Sequence, residues 1–99
     1  MSRSWSVYIL ELENGSLYTG VTTDLAARYR AHAEGRGARA VRMAGGPRRI
    51  AWCQAALTKA EAHRLERAIK ALPRHRKDRI LADGLAAVGL AADGHPSTA

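Results

Sequence analysis

Two tyrosines, Tyr8 and Tyr18, stand ten residues apart in WSVYILELENGSLYTG, on either side of an Asn-Gly pair. A phenol can take or give a proton, but with a reference pKa near about 10 it is a poor base at neutral pH, so positive charge nearby must lower that pKa before it can work as one. Arg28 and His32 fall with Leu25 and Tyr29 in one narrow arc of a helical wheel, at the i, i+3, i+4, i+7 spacing of a core-facing stripe. Polar groups aimed at a core cost stability unless they are paired or wet, so an inward arginine and histidine are a candidate site and not only a packing detail. Glu66, in AHRLERAIK, supplies a carboxylate, which taken alone also reads as half of an i, i+4 pair with Lys70. The chain holds 16 Lys+Arg against 9 Asp+Glu, a net charge of +7, and most of the excess is arginine. Arginine's planar fork suits bidentate contact with phosphate, which makes a polyanion the first partner to consider.

The elements that must position these residues are legible in outline. Ser4 to Leu12 alternates Trp5, Val7, Ile9 with Tyr8, Leu10, Leu12, so both faces are apolar, as in a central strand covered on both sides. A second strand, from Ser16 to about Val21, completes a hairpin. A two-residue Asn-Gly turn would pair Leu12 with Leu17 and put the tyrosines on opposite faces. A three-residue loop, with Glu13-Asn14 as a type I turn and Gly15 left-handed, pairs Leu10 with Tyr18 and puts both tyrosines on one face. The sequence permits either register.

TTDLAARYRAHAEG predicts a helix capped by Thr23 or Asp24 and stopped at Gly35. Gly35 to Arg49 is rich in Gly and Arg, contains no acid, and reads as a mobile basic loop, followed by a strand over Ile50 to Ala56. Thr58 and Glu61 form a capping box ahead of an apolar stripe, Ala62, Leu65, Ile69 and Leu72. Pro73 ends that helix and starts a shorter basic one, Arg74 to Ala82. The order strand, strand, helix, strand, helix, helix predicts one small α/β domain over residues 1–82, with helices packed on three strands and a frayed, flexible tail over 83–99.

A single cysteine, Cys53, excludes an internal disulfide and reads as a small buried strand residue, and no Cys/His cluster has zinc-site spacing. No N-terminal stretch resembles a signal peptide and no run approaches the roughly 18 apolar residues of a membrane span, so a soluble, cytoplasmic protein is expected. His63 and His75 read as surface residues.

VYI at 7–9, YTG at 18–20, Arg28 ten residues after the second tyrosine, His32 one turn later and Glu66 in a following helix together resemble the GIY-YIG nuclease family, closest in wording to its small stand-alone bacterial proteins. Ser6 and Val7 stand where the name motif has Gly and Ile, and no asparagine follows the glutamate helix. The resemblance covers residues 5 to about 81 and implies a small three-stranded antiparallel sheet flanked by helices. It implies a metal-dependent endonuclease of DNA repair or recombination, in which one of Tyr8 and Tyr18 activates water, His32 orients or deprotonates its neighbouring tyrosine, Arg28 holds phosphate and Glu66 binds Mg2+ or Mn2+. Arg36, Arg39, Arg42, Arg48, Arg49, Arg74, Arg76 and Lys77 are then expected as phosphate contacts to DNA, with RNA also within reach and a protein partner supplying specificity. No readout helix or stacking platform is evident, so binding is expected to be dominated by backbone charge. The alternative is a nucleic-acid-binding module that keeps the fold without catalysis; a protein-interaction domain is a weaker third reading.

Overall fold

The strand with two apolar faces, β1 (Trp5–Leu12), lies between β2 (Leu17–Thr22) and β3 (Pro47–Leu57) in a three-stranded sheet, and pairs antiparallel with both. The computed structural model describes residues 2–97. Helices α1 (Leu25–Ala33) and α2 (Arg39–Met43) precede β3, and α3 (Lys59–Lys70) and α4 (Arg74–Asp83) follow it. This is the expected α/β order with one additional short helix.

Alternation along β1 divides the apolar residues between two cores. Val7 and Ile9 pack with Ala62, Leu65 and Ile69 of α3 and Ile80 of α4, while Tyr8, Leu10 and Leu12 pack with Val41 of α2 and the half-buried Leu25 and Tyr29 of α1. Trp5 and Trp52 are half-buried at the margin of the first core. The capping box starts α3 as expected: the Thr58 hydroxyl accepts from the Glu61 amide at 3.2 Å and the Glu61 carboxylate accepts from the Thr58 amide at 2.9 Å. Asp24, not Thr23, caps α1 by accepting from the Ala27 amide at 3.0 Å.

Three expectations differ from the structure. The basic stretch expected as a mobile loop contains α2, whose Val41 is fully buried, and its last residues from Pro47 already belong to β3. Cys53 is exposed, on the edge strand β3. The segment after Asp83, expected as a frayed tail, folds back on the helices: Leu85 and Val88 are buried in a 3-10 turn, Leu90 pairs with Pro96, and the guanidinium of Arg64 donates to the Asp93 carbonyl at 3.0 Å. Its small residues permit close approach. Gly94, at φ 86°, lies so near α3 that a Cβ there would stand 2.5 Å from the Leu65 nitrogen. Residues 98–99 of the expected tail lie outside the described residues.

Candidate active site

The hairpin sets the tyrosine geometry. Gly15 has φ 87°, its amide donates to the Leu12 carbonyl at 2.9 Å, and the Leu12 amide donates to the Ser16 carbonyl at 2.9 Å, so the loop has three residues. Leu10 therefore pairs with Tyr18, both phenols share a face, and their ring centroids are 6.4 Å apart. Tyr8 lies opposite Gly20, and its hydroxyl occupies the space above that glycine: a Cβ at Gly20 would meet the oxygen at 2.4 Å. The glycine of YTG is thus a seat for the other tyrosine.

From α1, His32 reaches both rings, with centroids 6.0 Å from Tyr8 and 5.5 Å from Tyr18, and its Nε2 stands 2.9 Å from the Tyr8 hydroxyl. Tyr8 and His32 are each only 1% exposed. The second imidazole nitrogen, Nδ1, is buried without a hydrogen-bond partner and faces Gly37, where a Cβ would lie 2.1 Å away. A buried N–H without an acceptor is costlier than a bare nitrogen lone pair, so the cheaper tautomer carries its proton on Nε2 and donates to the Tyr8 oxygen. Burial, and then the positive charge of Arg28, hold the His32 pKa below its ordinary 6.5 and keep the ring neutral.

Arg28 lies one turn before His32, half-buried, and its positive charge acts to lower the Tyr8 pKa. It does not win. Burial pushes the Tyr8 phenol above its ordinary 10.0, and the neighbouring Tyr18 phenol and the Glu66 carboxylate add to that push. On α3, the Glu66 carboxylate is 3.2 Å from the Lys70 ammonium, which in turn stands 6.0 Å from the Tyr18 ring centroid. Tyr8, Tyr18 and His32 are therefore in mutual contact with Arg28 beside them, whereas Glu66 reaches them through Lys70 and through its charge, from a helix that packs on the opposite face of the sheet.

The Glu66 side chain is 17% exposed and also lies 3.7 Å from His63 Nδ1. Among the described residues no three His, Cys, Asp or Glu side chains group into a metal cage. A lone, partly exposed carboxylate is a ligand of the kind that a hard cation such as Mg2+, which keeps several waters, would take.

The expected phosphate contacts are more constrained than a free basic face. Arg48 and Arg49 pair with Glu11, Arg48 also with Glu13, and Arg74 donates to the Gly15 carbonyl at 2.9 Å, so these three gather at the hairpin turn. Arg36 pairs with Glu34, Arg42 donates to the Gly37 carbonyl at 3.4 Å, and Arg76 donates to the Val88 carbonyl at 3.2 Å. Arg39 is exposed on α2, and Lys77 is half-buried on α4. Sequence reasoning missed Lys70, Gly20 and Gly37 as parts of the site. A spacing signal existed for the first: Lys59, His63, Glu66 and Lys70 recur along one stripe of α3.

No helix among the described residues is long and apolar enough to cross a membrane. The family model described as the GIY-YIG catalytic domain matches residues 4–78. A UPF0213 protein of Pseudomonas aeruginosa is 40% identical over 81 residues, covering 82% of this chain and 77% of the relative, and one of Vibrio cholerae is 40% identical over 79 residues, covering 79% and 77%. The solution structure of a UPF0213 protein from Bacillus halodurans matches with a TM-score of 0.52 at 41% identity, covering 79% of this chain and 82% of that one. With its name motif on paired strands, its polar helix stripe turned inward and most of its length matched by the family model, the chain belongs to the GIY-YIG family.

Proposed function

We propose that this chain is a metal-dependent endonuclease that hydrolyses phosphodiester bonds in cytoplasmic DNA, on branched, nicked or single-stranded forms, with a protein partner supplying specificity and repair or recombination as the setting. The observation that carries this reading is the closed contact of Tyr8 with His32 at 2.9 Å, beside Arg28 and within the field of Glu66. Tyr8 is the better placed of the two phenols to act as base, because its oxygen has a fixed partner. With substrate and cation assembled, the Tyr8 phenol gives its proton to solvent, and the phenolate, oriented and stabilised by the His32 Nε2–H, takes a proton from water as the water oxygen attacks phosphorus. The phosphorus–oxygen bond on the opposite side breaks, and its oxygen leaves with a proton from solvent. Arg28 holds the non-bridging oxygens as charge builds on them. A Mg2+ or Mn2+ ion on Glu66, when bound, adds positive charge at the phosphate.

The raised Tyr8 pKa has a consequence for this scheme. In the free protein the phenol is neutral, so substrate and cation must assemble before the base forms. It also favours the second reading, a nucleic-acid-binding module with the same fold and no useful catalysis. Cleavage of plasmid and branched DNA with Mg2+ or Mn2+ separates the two. Arg28→Ala, Glu66→Ala and Tyr18→Phe are expected to reduce the rate by about 10²-fold or more for the first two and less for the third. Glu66→Ala with wild-type activity would assign the cleavage to another site or a contaminant. Salt-sensitive binding with no cleavage on any substrate would select the module.

A further inference from the structure

The stripe on α3 that holds Glu66 and Lys70 continues one turn further to His63 and then to Lys59, at the opposite end from Tyr18. There the His63 ring lies 5.5 Å from the indole of Trp5, and the Lys59 ammonium stands 5.9 Å from the same ring. Trp5 is only half-buried, and together with His63, Lys59 and Thr58 it lines an open, mainly apolar cleft of about 530 Å³. Trp5 is held there by β1: Trp5 pairs with Leu57, and the β1–β3 register shifts between Trp5 and Val7. The extra residue is taken up on β3, where Ala56 has φ 62°.

We propose that this cleft is a stacking site for one unpaired nucleobase of the nucleic acid that the candidate active site holds. The proposal rests on the nuclease reading and narrows its substrate class to strands with unpaired bases. A flat indole with an imidazole beside it presents the face and edge that a base stacks on, without selecting which base. Lys59 places a cation where the phosphate of the stacked nucleotide would run, and the net charge of +7 favours a polyanion over other flat ligands. His63 bridges the two regions, since its Nδ1 is 3.7 Å from the Glu66 carboxylate. A strand lying along this stripe would meet Trp5, then Glu66, then Tyr18. A continuous duplex offers no free base face to the cleft.

The test compares a labelled single strand of about ten thymidines with a blunt duplex of the same length, by fluorescence anisotropy at low salt and without divalent cation. Trp5→Ala is expected to weaken single-strand binding by about tenfold and leave duplex binding unchanged, whereas Trp5→Tyr retains most of the affinity. In a Trp52→Phe protein, the remaining Trp5 fluorescence is expected to be quenched by the single strand and not by the duplex. Should Trp5→Ala fail to fold by circular dichroism, the quenching and the exposed Lys59→Ala variant decide. Equal losses on both oligonucleotides, or no loss and no quenching, would overturn the stacking site and leave the nuclease reading standing. Binding of neither oligonucleotide would overturn both.

Discussion

At the residue scale, the site places a phenol and an imidazole in mutual contact and removes both from water. Each pays in its titration: burial raises Tyr8 and lowers His32, so both are neutral near pH 7. For His32 the sign follows directly. Its folded-state pKa lies below the ordinary 6.5, so under acid the unfolded chain binds more protons than the folded one. The stabilising difference is complete above that value and is lost as the pH falls beneath it. Urea denaturation between about pH 7.5 and 5 should therefore show wild type losing stability more steeply than His32→Gln, by at most about 1.4 kcal/mol per pH unit. Parallel curves would mean that His32 stays neutral or is reached by solvent. The types and order of Tyr8, Tyr18, Arg28, His32 and Glu66 were legible in the sequence, and so was the inward turn of the α1 stripe. The direction of the Tyr8 shift was not, because Arg28 promised a lowered pKa and only the packed structure shows how completely the phenol is buried. Gly20 and Gly37 were also illegible as site residues, since the reason for each is an atom from another element pressing on its Cα.

At the element scale, the hairpin loop decides whether the site exists, because a shift of one residue would turn Tyr18 to the other face. Two loop lengths fitted the sequence, and the left-handed Gly15 selects the longer one. Gly15→Ala has open space for its methyl group, so its cost is conformational only, about 1 kcal/mol, read as a lower urea midpoint with an unchanged slope. A shift in slope as well would point to a changed register. Helix α3 was fully legible because capping box and apolar stripe agree. Helix α2 was not: five residues among glycines and arginines give no period to read, and the burial of Val41 against β1 anchors them.

At the scale of the whole molecule, two cores share one strand, and the chain beyond α4 completes one of them. That segment was misread because glycine, alanine and proline suggest disorder by composition, while the structure uses those small residues to approach α3 closely and bury Leu85 and Val88. Leu85→Ala is expected to destabilise the fold by about 2 kcal/mol in denaturant titration, whereas a frayed segment would give no measurable change. The charge is also less free than composition suggests, since Arg48, Arg49, Arg74 and Arg76 are each already bonded within the fold. On the proposed function, nucleic acid is cleaved through the Tyr8 oxygen. The most direct measurement removes that single atom: the rate of plasmid and branched-DNA cleavage with Mg2+ or Mn2+, for wild type and Tyr8→Phe. Metal-dependent cleavage by wild type and a loss of about 10²-fold or more in Tyr8→Phe are expected. Cleavage by Tyr8→Phe at the wild-type rate, or none by wild type on any of these substrates, would contradict it.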